Sequence, residues 1–138
     1  MSDCRYWSYV GDGVSEARRV RRDVRRFLEA QADVRRSDLD GAELVVGELL
    51  ANAVLHGAPP FGVCVDWSDD LPVLCVVDRG GGMPAVYPAP GPDSETGRGL
   101  LIVRALAGAL TIDSTRGAKT GTRVVVTLPV HRAAPQAA

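Results

Sequence analysis

Residues 48–57 read ELLANAVLHG and place three polar side chains at intervals of four in an otherwise apolar segment. In a helix this spacing puts Glu48, Asn52 and His56 on one stripe, one turn apart. Each has an ordinary structural explanation: a cap, a surface carboxylate, or a histidine facing the helix dipole. Because all three lie on a mostly buried helix, together they indicate a functional site. A carboxylate and an amide suit a hydrated Mg²⁺, and the carboxylate can instead take a proton from a hydroxyl nucleophile.

A second candidate is Asp78, which ends the apolar run 73–77 (VLCVV) and precedes the glycine-rich stretch RGGGMP at 79–84. A carboxylate that leaves a buried strand needs hydrogen-bond donors. The exocyclic amine of a purine would supply one, and the glycines would let a flat base approach the backbone. The stretch is not a dinucleotide fingerprint, because Pro84 and the prolines after it prevent the helix that this motif must open.

Two further short motifs point to phosphate and hydroxyl chemistry. Gly97-Arg98-Gly99-Leu100 stands at the start of a predicted helix, where free backbone amides and a guanidinium form an anion site. Gly121-Thr122 adds a hydroxyl near the start of the last predicted strand.

The spacing of apolar residues predicts the order strand, helix, helix, strand, strand, long loop, helix, strand, strand. Tight turns between consecutive strands favour antiparallel pairing with the helices on one face, so we expect a two-layer α+β sandwich. The continuous apolar run at 73–77 is expected to be buried on both faces. The predicted elements are 4–10, 15–31, 38 or 40 to about 55, 61–67, 73–77, 98–109, 110–114 and 122–128, followed by a disordered tail at 131–138.

Length and composition narrow the function classes. The 138 residues are 46% hydrophobic and 24% charged with a formal net charge of −1, which indicates one folded domain and argues against a nucleic-acid binder driven by positive charge. No apolar run approaches the roughly 18–20 residues of a membrane span, and the N-terminus lacks a secretory pattern. Three cysteines cannot all pair. We therefore expect reduced thiols in a cytoplasmic protein.

The motifs E-x-x-x-N-A at 48–53, D-x-G-x-G-M-P at 78–84, G-x-G-L at 97–100 and G-T at 121–122 occur together in this order. In this the chain resembles the GHKL ATPases, over about residues 5–129. The resemblance implies the Bergerat ATP-binding fold, with a mixed, mostly antiparallel sheet and helices on one face, in a single domain at 1–130. Within that superfamily, ELLANAVLHG and GRGLLIVRALA at 97–107 are similar to the anti-sigma-factor serine/threonine kinases.

The resemblance implies a role for each matching residue. Glu48 would assist activation of the nucleophile, Asn52 would hold Mg²⁺, and Asp78 would bind the adenine amino group of ATP or ADP. Thr122 would join a water network beside the adenine. The other matches would shape the base pocket (Gly80, Gly82, Met83) or lie beneath the phosphates (Gly97, Arg98, Gly99, Leu100), with 84–97 as a lid ordered by nucleotide.

The resemblance also implies a function in bacterial transcription regulation. The chain would phosphorylate a serine or threonine of a small anti-anti-sigma partner and would sequester a sigma factor, as a possible homodimer, with no direct contact to nucleic acid or membrane. Two alternatives stay open. One is a nucleotide-dependent binding module without kinase activity. The other is a catalytic domain that acts on a separate histidine phosphoacceptor protein.

Overall fold

A computed structural model describes residues 5–12, 15–79, 110–115 and 121–134. In these ranges every described pair of neighbouring strands is antiparallel, and the sheet has the order β1-β2-β3-β5-β4. The α+β sandwich is therefore confirmed. The predicted helix at 98–109 lies outside the described residues. The elements are β1 Tyr6–Gly11, α1 Ala17–Glu29, a 3₁₀ turn Val34–Arg36, α2 Leu39–His56, β2 Phe61–Asp66, β3 Val73–Asp78, β4 Leu110–Thr115 and β5 Gly121–Thr127.

Helix α2 begins and ends at residues that satisfy its terminal backbone groups. The Gly41 N–H donates to the Asp38 carboxylate at 2.9 Å, which confirms the predicted cap. At the other end, the Gly57 N–H donates to the Ala53 carbonyl at 2.8 Å. Between these caps the buried side of α2 carries a broad set of small and branched apolar residues that packs on α1 and on the sheet.

The two helices cover one face of the sheet. Alternate residues of the central strands are buried beneath them: Val63, Val65, Leu74, Val76, Val124 and Val126. The residues between these point to the other face, where Val77 keeps 37% of its surface exposed. The prediction that 73–77 is buried on both faces is wrong, because in the described part of the chain the helices shield only one of them.

The segment after β5 is ordered as far as the structure describes it. The Asp33 N–H donates to the His131 carbonyl at 2.7 Å, and the Ala133 N–H donates to the Gln31 carbonyl at 2.8 Å. The Arg132 guanidinium lies 4.8 Å from the centre of the Trp67 ring. The predicted disorder is therefore wrong for 131–134, because this segment pairs with the connection between α1 and α2.

Candidate functional site

At one end of the sheet the face beneath the helices changes from apolar to polar. On β3 and β5 the residues that oppose each other are first Leu74 with Val126 and Val76 with Val124. The next pair on this face is Asp78 with Thr122, which are 3% and 2% exposed. Opposed side chains on antiparallel strands have Cβ atoms roughly 4.5–5.5 Å apart. The register thus places a buried carboxylate beside a buried hydroxyl.

The C-terminal end of α2 closes against this carboxylate. A Cβ on Gly57 would lie 2.5 Å from Asp78 Oδ1 and 2.6 Å from the Ala53 carbonyl oxygen, so only a glycine leaves the carboxylate its space. The Arg79 N–H donates to the Ala58 carbonyl at 2.9 Å and ties the end of β3 to the turn after the helix. Asp78 is therefore held between a helix end and a neighbouring strand.

Asn52 lies five residues before Gly57 on α2, and it is buried with an unsatisfied amide. Its side chain is 5% exposed, and its Nδ2 has no hydrogen-bond partner among the described residues. The same is true of the Thr122 hydroxyl. A buried polar group without a partner costs about 1–3 kcal/mol, and native proteins contain few of them. Their partners must come from a ligand, from bound water or from residues outside the described ranges.

The other polar residues of the α2 stripe are more exposed than Asn52. Glu48 lies one turn before it, about 6 Å along the helix axis, and is half-buried. His56 is exposed in the last turn of α2, at the negative end of the helix dipole.

Several predicted site residues cannot be placed. The base-pocket residues Gly80, Gly82 and Met83, the phosphate residues Gly97, Arg98, Gly99 and Leu100, and the lid at 84–97 lie outside the described residues and stay predictions. In the described ranges no group of three or more His, Cys, Asp or Glu side chains is arranged to hold a metal ion. A Mg²⁺ ion at Asn52 would thus take its other ligands from phosphate and water, as this ion commonly does.

Sequence reasoning missed the part played by Gly57. It identifies this glycine as the end of a helix, which is correct, but the local pattern contains no sign that a carboxylate on a distant strand fills the space beside it. The glycine's position directly after the polar stripe is the one signal that was available.

A groove of about 920 Å³ lies at the opposite end of the sheet. It is lined by the turn between β2 and β3 and by basic residues from other segments: Arg5, Arg36, Ser68, Asp69, Asp70, Leu71, His131 and Arg132. Since Asp78 ends β3 and this turn precedes β3, the groove is separate from the polar cluster and has no part in the site.

The described ranges thus form an antiparallel sheet with helices on one face, a buried carboxylate and hydroxyl at one end of the sheet, and a buried amide on α2. Residues 13–128 match the family described as the histidine kinase-like ATPase domain. This match spans most of the 138 residues, and the chain belongs to that family. Membership implies the binding of ATP or ADP. No helix within the described residues is long and apolar enough to cross a membrane.

Two solved structures are similar to this chain. The histidine kinase domain from the Erythrobacter litoralis EL346 blue-light activated histidine kinase is 26% identical, with a TM-score of 0.47, over 67% of this chain and 44% of that chain. The chain therefore spans less than half of that relative. The Acinetobacter baumannii histidine kinase AdeS is 18% identical, with a TM-score of 0.45, over 88% of this chain and 68% of that chain. No match is found among curated proteins.

Proposed function

We propose that this chain binds ATP with Mg²⁺ and transfers the γ-phosphate to a serine or threonine of a small anti-anti-sigma partner. The observation that carries the nucleotide half of this proposal is the buried pair Asp78 and Thr122 at the end of an apolar layer, together with the buried Asn52 on the helix that closes against Asp78. The observation that supports the kinase half is the position of Glu48, one helical turn from Asn52 and partly open to solvent.

The donor set fits an adenine nucleotide. Asp78 offers a buried acceptor for the adenine amino group, and Gly57 keeps the space around that acceptor free. The unpaired Thr122 hydroxyl can bind a water beside the base. Asn52 would turn its carbonyl oxygen to Mg²⁺ and leave its amide to hydrogen-bond with a phosphate oxygen or with water. The metal, when bound, would neutralise phosphate charge and orient the γ-phosphate for in-line attack.

Glu48 supports a hydroxyl acceptor in particular. A serine or threonine hydroxyl is a weak nucleophile until a base accepts its proton, and a partly exposed carboxylate one helical turn from Asn52 would be that base. Residues ELLANAVLHG, which resemble those of anti-sigma-factor kinases, point the same way. The same protein would bind a sigma factor when the anti-anti-sigma partner is phosphorylated. We extend the proposal to a homodimer located in the cytoplasm.

Calorimetry with ADP and GDP tests the nucleotide assignment. The Asp78 carboxylate accepts from an adenine amino group but faces the carbonyl of guanine, so we expect GDP to bind more weakly by about 1–3 kcal/mol, or roughly 5- to 150-fold. Asp78→Asn should remove this preference, and Asp66→Asn, at the far end of β2, should leave it unchanged. Equal affinities of the native protein for ADP and GDP would contradict the assignment of Asp78 to the adenine amino group.

Phosphate labelling tests the reaction. The full chain is incubated with ATP labelled at the γ-phosphate and with the small proteins encoded beside its gene. We expect label on a partner protein that survives acid and is lost in base, as a phosphoserine ester does. Label that is lost in acid but survives base would establish a histidine acceptor. Tight ATP binding with no labelled protein would establish a binding module.

A further inference from the structure

Two of the three cysteines face each other on the side of the sheet that the described helices leave uncovered. Cys64 on β2 and Cys75 on β3 are directly opposed in the antiparallel register, and both are partly exposed free thiols. Opposed residues of such strands have Cα atoms roughly 4.5 or 5.5 Å apart. A disulfide spans Cα separations of about 4.4–6.8 Å. The register alone therefore allows a bond between the two sulfurs with little backbone movement.

The Cys64 and Cys75 thiols have different neighbouring groups. Burial, followed by the charge and the hydrogen bond of Cys64, raises the pKa of the Cys75 thiol to about 11, while nearby Arg123 acts in the opposite direction. On the other side, the Tyr6 hydroxyl is also hydrogen-bonded to Cys64 and lies near Asp66. Near neutral pH Cys75 is therefore mostly protonated, which makes it a poor first nucleophile.

We propose that Cys64 and Cys75 are a modification site that closes to an intramolecular disulfide on reaction with a small-molecule disulfide. The Cys64 thiolate attacks the small disulfide, forms a mixed disulfide and releases one small thiolate. Cys75 then loses its proton to solvent and attacks the Cys64 sulfur, which forms the Cys64–Cys75 bond and expels the second small thiolate. Two protein thiols are oxidised and one small disulfide is reduced to two thiols, so atoms and electrons balance.

This site is separate from the nucleotide site. Cys75 lies three residues before Asp78 on the same strand, an odd interval, so the two side chains are on opposite faces of the sheet. The bond would link β2 to β3 without touching the carboxylate. A partly exposed disulfide of this kind is open to reduction by small thiols, which makes the modification reversible. The inference does not depend on the proposed kinase activity.

Oxidised glutathione tests the proposal. The full-length Cys4→Ser protein, which keeps only these two thiols, is incubated folded with oxidised glutathione and then analysed by thiol titration and intact mass. We expect both thiols to be lost in a monomeric chain that is two hydrogens lighter and carries no glutathione. Peptide mapping without reductant should recover residues 64 and 75 in one linked species, and dithiothreitol should restore both thiols.

Two matched variants make the result specific. Cys64→Ser and Cys75→Ser in the same background, with folding checked by circular dichroism, cannot close, so each should retain a stable glutathione adduct or a free thiol. Removal of Cys64 should slow the first reaction more than removal of Cys75. The proposal is overturned if the two-thiol protein stops at a glutathione adduct, if its disulfide forms only between chains, or if it closes only in denaturant.

Discussion

Replacing Gly57 with alanine should reduce the preference of this protein for ADP over GDP. The backbone at residue 57, with φ of −101° and ψ of −167°, is open to any residue, so the substitution acts only through the added methyl group. That methyl would lie 2.5 Å from Asp78 Oδ1 and 2.6 Å from the Ala53 carbonyl oxygen, well inside the 3.0 Å that real Cβ contacts respect. Either the carboxylate turns away or the last turn of α2 moves.

The magnitude follows from what the carboxylate loses. Asp78 is 3% exposed, so it cannot yield to the methyl without giving up its present position. Loss of its hydrogen bond from adenine would cost about 1–3 kcal/mol, which raises the dissociation constant of ADP roughly 5- to 150-fold. The affinity for GDP, which makes no such bond, should change much less. Overpacking should also lower the free energy of unfolding by about 1–3 kcal/mol.

Calorimetry with both nucleotides, together with urea unfolding of the same preparations, separates the two effects. Gly62→Ala is the matched control, because its added Cβ would meet only the Val77 Cβ, at 3.9 Å. This control should keep the ADP preference. A folded Gly57→Ala protein that discriminates ADP from GDP as well as the native chain would refute the placement of adenine at Asp78.

Four other outcomes are expected. Asn52→Leu should abolish the Mg²⁺ dependence of ATP affinity. It should also raise the free energy of unfolding of the nucleotide-free chain, measured with urea, by about 1 kcal/mol, because an unpaired buried amide is replaced by an apolar group of similar size. A lower free energy of unfolding would contradict this. Glu48→Gln should keep ATP affinity and slow phosphoryl transfer about 10²–10⁴-fold in the labelling assay, and an unchanged rate would remove its assigned role. Arg25→Ala should lower the free energy of unfolding by about 1 kcal/mol at low salt and by less at high salt. The reason is that the Arg25 guanidinium contacts three carboxylates on α1 and α2 at 2.6 Å. The control Arg26→Ala should have little effect. Closure of the proposed disulfide from its mixed disulfide should speed up as the pH rises, since burial raises the pKa of Cys75 and only the thiolate attacks; a flat profile in stopped-flow measurements would count against this order of steps.

The parts of the fold that local chemistry determines could be predicted from the sequence. Asp38 caps α2 as expected, because a capping side chain bonds to an amide three residues away and needs no distant partner. The strands at 61–66 and 73–78 likewise follow from local apolar patterns and the turn between them. Asn52, Asp78 and Thr122, which the sequence identifies as site candidates, are all buried, and their roles stay predictions.

The relations between distant segments could not be predicted in the same way. A continuous apolar run such as 73–77 does not encode how many faces of the sheet become covered, and the structure covers one. The alanine-rich composition after residue 131 suggests disorder, yet the Gln31 carbonyl accepts from the Ala133 N–H and the Asp33 N–H donates to the His131 carbonyl, which orders 131–134. The space beside Asp78 depends on a glycine in another element. In each case the deciding contact joins segments that are far apart in the chain.

The polar residues at the end of the sheet stand where a further apolar pair would enlarge the hydrophobic core. Val76 with Val124 and Leu74 with Val126 fill the covered layer with paired apolar side chains, and a further apolar pair would extend this core. The chain instead places a carboxylate and a hydroxyl at the next position, and an amide on the helix above. Burying such groups is unfavourable unless hydrogen-bond donors and acceptors reach them. The Thr122 hydroxyl and the Asn52 amide have no such partner among the described residues, and the water, phosphates and metal of the proposed nucleotide complex would supply them.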